Sequence, residues 1–128
     1  MNQSARHLKP TGRFHLNAAE IAPEQIRAVE GVAEQGHVTV KKLMVGENIL
    51  MLEVFRRKGL IDPVHKHLDH ESTGYLISGK LRLIIGGKEF IATPGSAWLH
   101  PAGVEHFSEA LEDCHQLEIK SPPFKTWE

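Results

Sequence analysis

Three of the chain's nine histidines fall within six positions of one another, in the stretch HKHLDHESTGYLISG at residues 65–79. His65 and His67 are two residues apart. On an extended strand both imidazoles would point to one face and aim two nitrogen donors at one place. Imidazole serves Zn, Fe, Ni, Cu and Mn alike, so the residue type indicates a metal site without choosing the metal. A lone H-x-H also describes an exposed pair on an edge strand, so the surroundings must decide. Asp62 and Pro63 precede the pair, and His70 and Glu71 follow it as further donors. A second segment, PGSAWLHPAGVEH at residues 94–106, ends on His106 several strand-like runs later. A sheet fold could return His106 to the side of the first two.

The elements that must position these side chains are short. From Gly36 onward HVTVKKLMV, ILMLEVFRR, VHKH, GYLIS, KLRLII, KEFIA, SAWLH, VEHFSEAL and HQLEIKS read as strands, with breaks at GEN, KGLIDP, SGK, IGGKE, TPGS, PAGVE and LEDC. Many short strands at close spacing predict an all-β sandwich or barrel. Gly86 and Gly87 suit a two-residue hairpin turn. Upstream, residues 1 to about 17 read as a loosely held arm. Asn17 followed by Glu20 is a helix N-terminal signal, but Pro23 and Gly31 argue for one short turn and then an extended stretch. The tail SPPFKTWE is expected to leave the barrel or pack along its outside.

The two histidine segments together resemble the motifs of the cupin superfamily of small β-barrels. The first motif, loosely G-x5-H-x-H-x(3,4)-E-x6-G, is similar to Gly59, His65, His67, Glu71 or Ser72, and Gly79. The second, G-x5-P-x-G-x2-H-x3-N, is similar to Gly95, Pro101, Gly103 and His106, with Ala110 in place of the final Asn. The pair of motifs is a far stronger signal than either alone. The resemblance covers about residues 38 to 120. It implies one jelly-roll cupin barrel over 38–128, with residues 1–37 as an arm and first strands packed on the barrel or on a partner subunit. It also implies a homodimer that pairs through residues 14 to 45, which would cover an exposed sheet edge.

The resemblance further implies a divalent metal ion (Fe, Mn, Zn or Ni) held by His65, His67 and His106, with a carboxylate as fourth ligand. Counting back from Gly79 puts that carboxylate position on Ser72; counting forward from His67 puts it on Glu71. A neutral hydroxyl is a poor ligand for a divalent cation. Glu71 and Ser72 point to opposite faces of a regular strand, so a bulge would have to turn Glu71 inward. Glu71 completes the expected set, with His70 or water as the alternatives. Such a centre would bind a small polar or anionic molecule, such as a keto acid, a diol or a uronic sugar, or lower the pKa of a bound water. Similar barrels carry out dioxygenation, isomerisation and sugar-ring opening, so the reaction class stays open. The alternative function is a non-catalytic binding or sensing barrel with a weak or vestigial metal site.

Other residues divide into chemistry and packing. His70 and His100 are the catalytic candidates; His100 could be a partner to a ligand, a proton shuttle or a satisfied core histidine. His115 reads as structural, and His7, His15 and His37 as surface residues. Tyr75 reads as packing, and Arg56, Arg57 and Lys58 as a solvated turn, one of which could meet a carboxylate at the barrel mouth. Composition sets the outer limits. The 128 residues suit one domain, and the net charge of −1 gives no reason to expect a nucleic-acid or membrane partner. A single cysteine, Cys114, allows no internal disulfide and fits a cytoplasmic location. The opening residues have no apolar core of the secretory kind, and NILMLEVF is too short to span a bilayer.

Overall fold

The computed structural model describes residues 6–128; the part of the polar arm before Arg6 lies outside the described residues. Asn17 caps a single 3-10 turn, Ala18–Glu20. Its Oδ1 accepts from the Ala19 N–H at 2.9 Å, and its own N–H donates to Glu20 Oε2 at 2.6 Å. Ile21 is already extended and Pro23 follows, so the turn does not propagate. Twelve strands come next: β1 (Glu24–Gln25), β2 (Ala28–Val29), β3 (Val32–Ala33), β4 (Val38–Val45), β5 (Leu50–Arg56), β6 (Ile61–His65), β7 (Glu71–Ser78), β8 (Leu81–Ile85), β9 (Lys88–Ala92), β10 (Ala97–His100), β11 (His106–Ala110) and β12 (Cys114–Ser121).

They form two antiparallel sheets that face each other. One has the order β1-β4-β5-β12-β7-β10 and the other β6-β11-β8-β9, with β2 and β3 as a small separate hairpin. This is the all-β, two-sheet architecture that the motif resemblance implies. The inner faces bury Val38 and Val40 from β4, Leu50, Leu52 and Val54 from β5, Leu76 from β7, and Leu81 and Leu83 from β8. These residues alternate along their strands, as one buried face requires. Gly86 and Gly87 link β8 to β9 with φ of 57° and 80°, and Ile85 pairs directly with Lys88. Two successive positive φ values are the signature of the tight hairpin turn that matches strand twist. None of the described residues forms a helix long and apolar enough to cross a membrane.

Two local expectations are corrected. The Asp62-Pro63 pair does not break the chain: β6 runs through it, from Ile61 to His65. β6 is the edge of its four-stranded sheet, where a proline's missing N–H costs no ladder bond. The Pro-rich tail does not stay outside. It folds back so that Pro123, Phe124, Thr126 and Trp127 are buried, and Trp127 Nε1 donates to Glu24 Oε2 at 3.1 Å. Thr126 and Trp127 help line the interior.

One glycine is fixed by packing rather than by backbone dihedral. Gly74 pairs with Trp98 across β7 and β10, and a Cβ at Gly74 would lie 2.2 Å from the Trp98 ring. Gly74→Ala is therefore expected to overpack the core and lower stability by about 1–3 kcal/mol. Chemical denaturation checks this, and combining Gly74→Ala with Trp98→Leu should recover much of the loss.

Candidate metal centre and its cavity

His65 closes β6 and His106 opens β11. The two are direct cross-strand partners, so their side chains leave the sheet on the same face. A register shift follows immediately, between His106 and Ser108, and turns the strand at this point. Their Nε2 atoms lie 3.1 Å apart. His65 Nδ1 lies 2.9 Å from the Pro63 carbonyl, and His106 Nδ1 lies 3.3 Å from the Val104 carbonyl. A carbonyl only accepts, so both N–H groups sit on Nδ1 and both Nε2 atoms carry lone pairs. Two lone pairs facing each other at that distance repel unless a cation lies between them. Ligands at a typical Zn–N distance of about 2.1 Å are themselves roughly 3 Å apart. The donor set therefore fits a metal ion.

His67 completes the group, but not by strand alternation. It lies beyond the end of β6, in the loop before β7. Its carbonyl accepts from the Gly103 N–H at 2.6 Å, so the turn preceding His106 also fixes His67. Gly103 has φ of 79°, which favours glycine. One donor atom from each of His65, His67 and His106 lies within 4.8 Å of the others, and all three residues are buried. Asp62 Oδ1 lies 3.5 Å from His65 Nδ1, the position of a carboxylate that orients a ligating imidazole.

The structure does not bring Glu71 to this group. Glu71 is the exposed first residue of β7, and Ser72 is the buried, inward one. β7 stays regular against β12 here, Glu71 opposite Ser121 and Ser72 opposite Lys120, so no bulge rotates the carboxylate inward. His70 is buried behind His67, with ring centroids 4.3 Å apart. Its Nδ1 donates to Asp69 Oδ1 at 2.9 Å, and its Nε2 is buried without a partner. His100 stacks flat on His106 at 3.7 Å, its Nδ1 at 3.5 Å from Ser72 Oγ. His115 is on the outer side, stacked on Phe55 and 3.1 Å from Glu53 Oε2, and His7, His15 and His37 are exposed.

Burial keeps His67, His70, His100 and His106 neutral. His106 is pulled down to about 3 by burial, then by its neighbours His100 and His65. His100 is pulled down to about 3 by burial, then by the Arg56 and Lys120 charges. His67 lies far below its ordinary range for the same first reason, with Lys120 next. His70 is lowered by burial against the opposing pull of Asp69. Neutral imidazole is the form that ligates a metal.

The triad opens on an interior cavity of about 50 Å³ that also takes in Glu34, Arg56, Asp62, Glu118 and Lys120. Such a space holds a small ligand or a few waters. Sequence reasoning missed most of these polar residues. Arg56 points inward, donating to Gln116 Oε1 at 2.9 Å and Ser108 Oγ at 3.3 Å, so it is not part of a solvated turn. Glu34 Oε2 is buried without a donor. Burial, then the Asp62 charge beside it, hold the Glu34 carboxyl well above the usual carboxylate range, with Arg56 opposing. A proton held between Glu34 and Asp62 explains the missing donor. At the tip of the β2–β3 hairpin Glu30 adopts φ of 51°, and its carboxylate sits 3.7 Å from His67 Nδ1 and on the Arg6 guanidinium. A non-glycine residue in that region marks a locally constrained site.

A family model described as "Cupin domain" matches residues 51–118, from β5 to β12, and so includes all three histidines. Oxalate decarboxylase OxdC of Bacillus subtilis (strain 168) is 33% identical over 81 residues, which is 59% of this chain and 21% of that protein. The chain thus spans about a fifth of that relative's length. Among solved structures, KdgF from Halomonas sp. matches with a TM-score of 0.74 at 23% identity, covering 88% of this chain and 94% of the other. An RmlC-like cupin from Shewanella frigidimarina matches with a TM-score of 0.76 at 18% identity, covering 90% and 95%. At those identities the shared property is the fold.

The raised Glu34 gives a pH dependence of known sign. The folded chain keeps this proton, whereas the unfolded chain releases it above the ordinary 4.5. Above that point the unfolded state binds fewer protons, so stability falls as pH rises, by up to about 1.4 kcal/mol per pH unit for one group. Urea midpoints at about pH 7.5 and about pH 8.5, above the range where the histidines of the unfolded chain take up protons, should therefore differ in the wild type and converge in Glu34→Gln.

Proposed function

The chain belongs to the cupin domain family, and on that premise we propose that His65, His67 and His106 hold a divalent metal ion beside which the barrel binds a small polar or anionic molecule. The observation that carries this reading is the pair of Nε2 lone pairs facing each other at 3.1 Å, with both N–H groups committed to backbone carbonyls. Bound there, the ion would supply a Lewis acid that polarises an oxygen of the ligand. His65, His67 and His106 orient it, and the Asp62 and Glu30 carboxylates lie 3.5 and 3.7 Å behind the His65 and His67 rings. Arg56 and Lys120 give the same cavity two positive side chains, suited to an anionic ligand. The carboxyl pair Glu34 and Asp62 can give or take a proton without leaving the cavity, which favours isomerase-type or ring-opening chemistry over simple binding.

A second reading, a non-catalytic binding barrel, is favoured by one specific observation. The inward position of β7 that the family motif gives to a carboxylate is Ser72 here, and the nearest carboxylate in sequence, Glu71, faces out. Turnover of a keto acid, diol or uronic sugar by the metal-loaded protein would separate the two readings.

Metal analysis tests the ligand set directly. The wild type should take up one equivalent of Zn or Mn, and a chelator should lower its melting temperature. His106→Ala should weaken metal binding by more than the ~10–100-fold that loss of an outer partner costs. Glu71→Gln should leave the affinity unchanged. Full stoichiometric metal in His106→Ala would refute the reading.

A further inference from the structure

Four strands place a row of side chains across the inner face of the larger sheet. Leu50 of β5 pairs with Lys120 of β12, Lys120 pairs with Ser72 of β7, and Ser72 pairs with His100 of β10. Direct cross-strand partners project to the same face, so Lys120, Ser72 and His100 all look inward. All three are buried, Lys120 at 4% exposure.

The pattern is unusual because Lys120 is charged and carries no partner of opposite charge. Its Nζ donates to Thr126 Oγ1 at 3.1 Å. Among the described residues no carboxylate lies within ion-pairing distance of it. An ammonium has three N–H groups to satisfy, and burying it unpaired is costly. Lys120 also lines the cavity that the histidine triad opens on, and its charge acts on His67, His70 and His100. The small hydroxymethyl of Ser72 sits beside it where the family motif carries a carboxylate.

We propose that Lys120 and Ser72 form an anion seat next to the metal centre, in which the carboxylate of a small organic acid takes the place that a side-chain carboxylate would otherwise fill. This inference rests on the metal reading above. Lys120 supplies the counter-charge and Ser72 Oγ a hydrogen bond. A carboxylate supplied by the chain at position 72 would pair with Lys120 and fill the space, so replacing it with serine leaves both the charge and the room for the ligand. The cavity of about 50 Å³ limits the ligand to a short acid in this conformation.

The test uses the full chain loaded with Co(II), whose visible spectrum reports changes in its ligands, with acetate and oxalate as probes. The wild type should take up Co(II), and its spectrum should shift saturably with at least one probe. Lys120→Met should keep Co(II) and bind that probe about tenfold or more weakly, the loss expected for a charge-assisted contact. Ser72→Glu should hold Co(II) at least as tightly as the wild type and lose the probe response, because its own carboxylate occupies the seat. Denaturation midpoints confirm that both variants are folded. Equal probe affinity in the wild type and Lys120→Met would overturn the seat. So would normal Co(II) uptake with no response to either probe. Failure of the wild type to bind Co(II) would instead overturn the metal reading, and the seat with it.

Discussion

The pairing of His65 with His106 across β6 and β11 is the constraint on which the rest of the site depends. Backbone hydrogen bonds fix it, and it puts two imidazoles on one face with their Nε2 atoms 3.1 Å apart. The carbonyls of Pro63 and Val104 then set the tautomers, so each ring presents its lone pair to the other. Those carbonyls are positioned by features that look unhelpful in isolation. Pro63 brings no N–H to its strand, and the register shift after His106 interrupts a ladder. Both sit where the sheet can accept them: Pro63 on an edge strand, the shift at the rim of the cavity.

The interior gives up stability to hold this chemistry. Where β4, β5 and β8 bury aliphatic side chains, β6, β11 and β12 bury Asp62, His65, His106, Ser108, Gln116 and Lys120. Each of these polar groups would cost free energy if left alone. The cavity offsets part of that cost by placing Arg56 near the Glu34 carboxyl and by holding His67, His100 and His106 in their neutral form. Gln116 and Ser108 tie down Arg56, and Thr126, from the folded-back tail, holds Lys120. The short N-terminal strands and the tail thus do more than cover an edge. They deliver Glu30, Glu34, Thr126 and Trp127 to the centre.

Much of this was legible in the sequence, for reasons that are local. The capping of Ala18–Glu20 by Asn17, the Gly86–Gly87 turn and most strands follow from propensity and turn chemistry that act over a few residues. His65 and His106 were recognisable because two motifs at the right spacing require each other. The misses occur where a strand's polarity is inverted. In HQLEIKS the apolar Leu117 and Ile119 invite the reading that they face the core. In the fold Gln116 and Lys120 are buried, and Leu117 and Ile119 are only half-buried. Alternation finds the period of a strand but assumes that the apolar face is the inner one. A polar cavity breaks that assumption, so a strand whose buried face is polar is itself a sign of a site.

The displaced carboxylate shows the same physics at a single position. Glu71 is one residue from the inward register, and in a strand one residue is the difference between the cavity and the solvent. Only a bulge beside it could have brought it inside, and the one irregularity between β7 and β12 lies at the far end, between His115 and Gln116, while the pairing from Leu76 to Glu71 is regular. Ser72 takes the inward position, and Lys120 directly opposite it is a cation in place of the neutral or apolar neighbour that a serine alone would call for. These two neighbours are understandable together. A carboxylate at position 72 would sit directly across from Lys120 and offset its charge, whereas serine leaves that charge buried without one. The missing family carboxylate is thus better read as a changed charge balance inside the barrel than as the loss of a site.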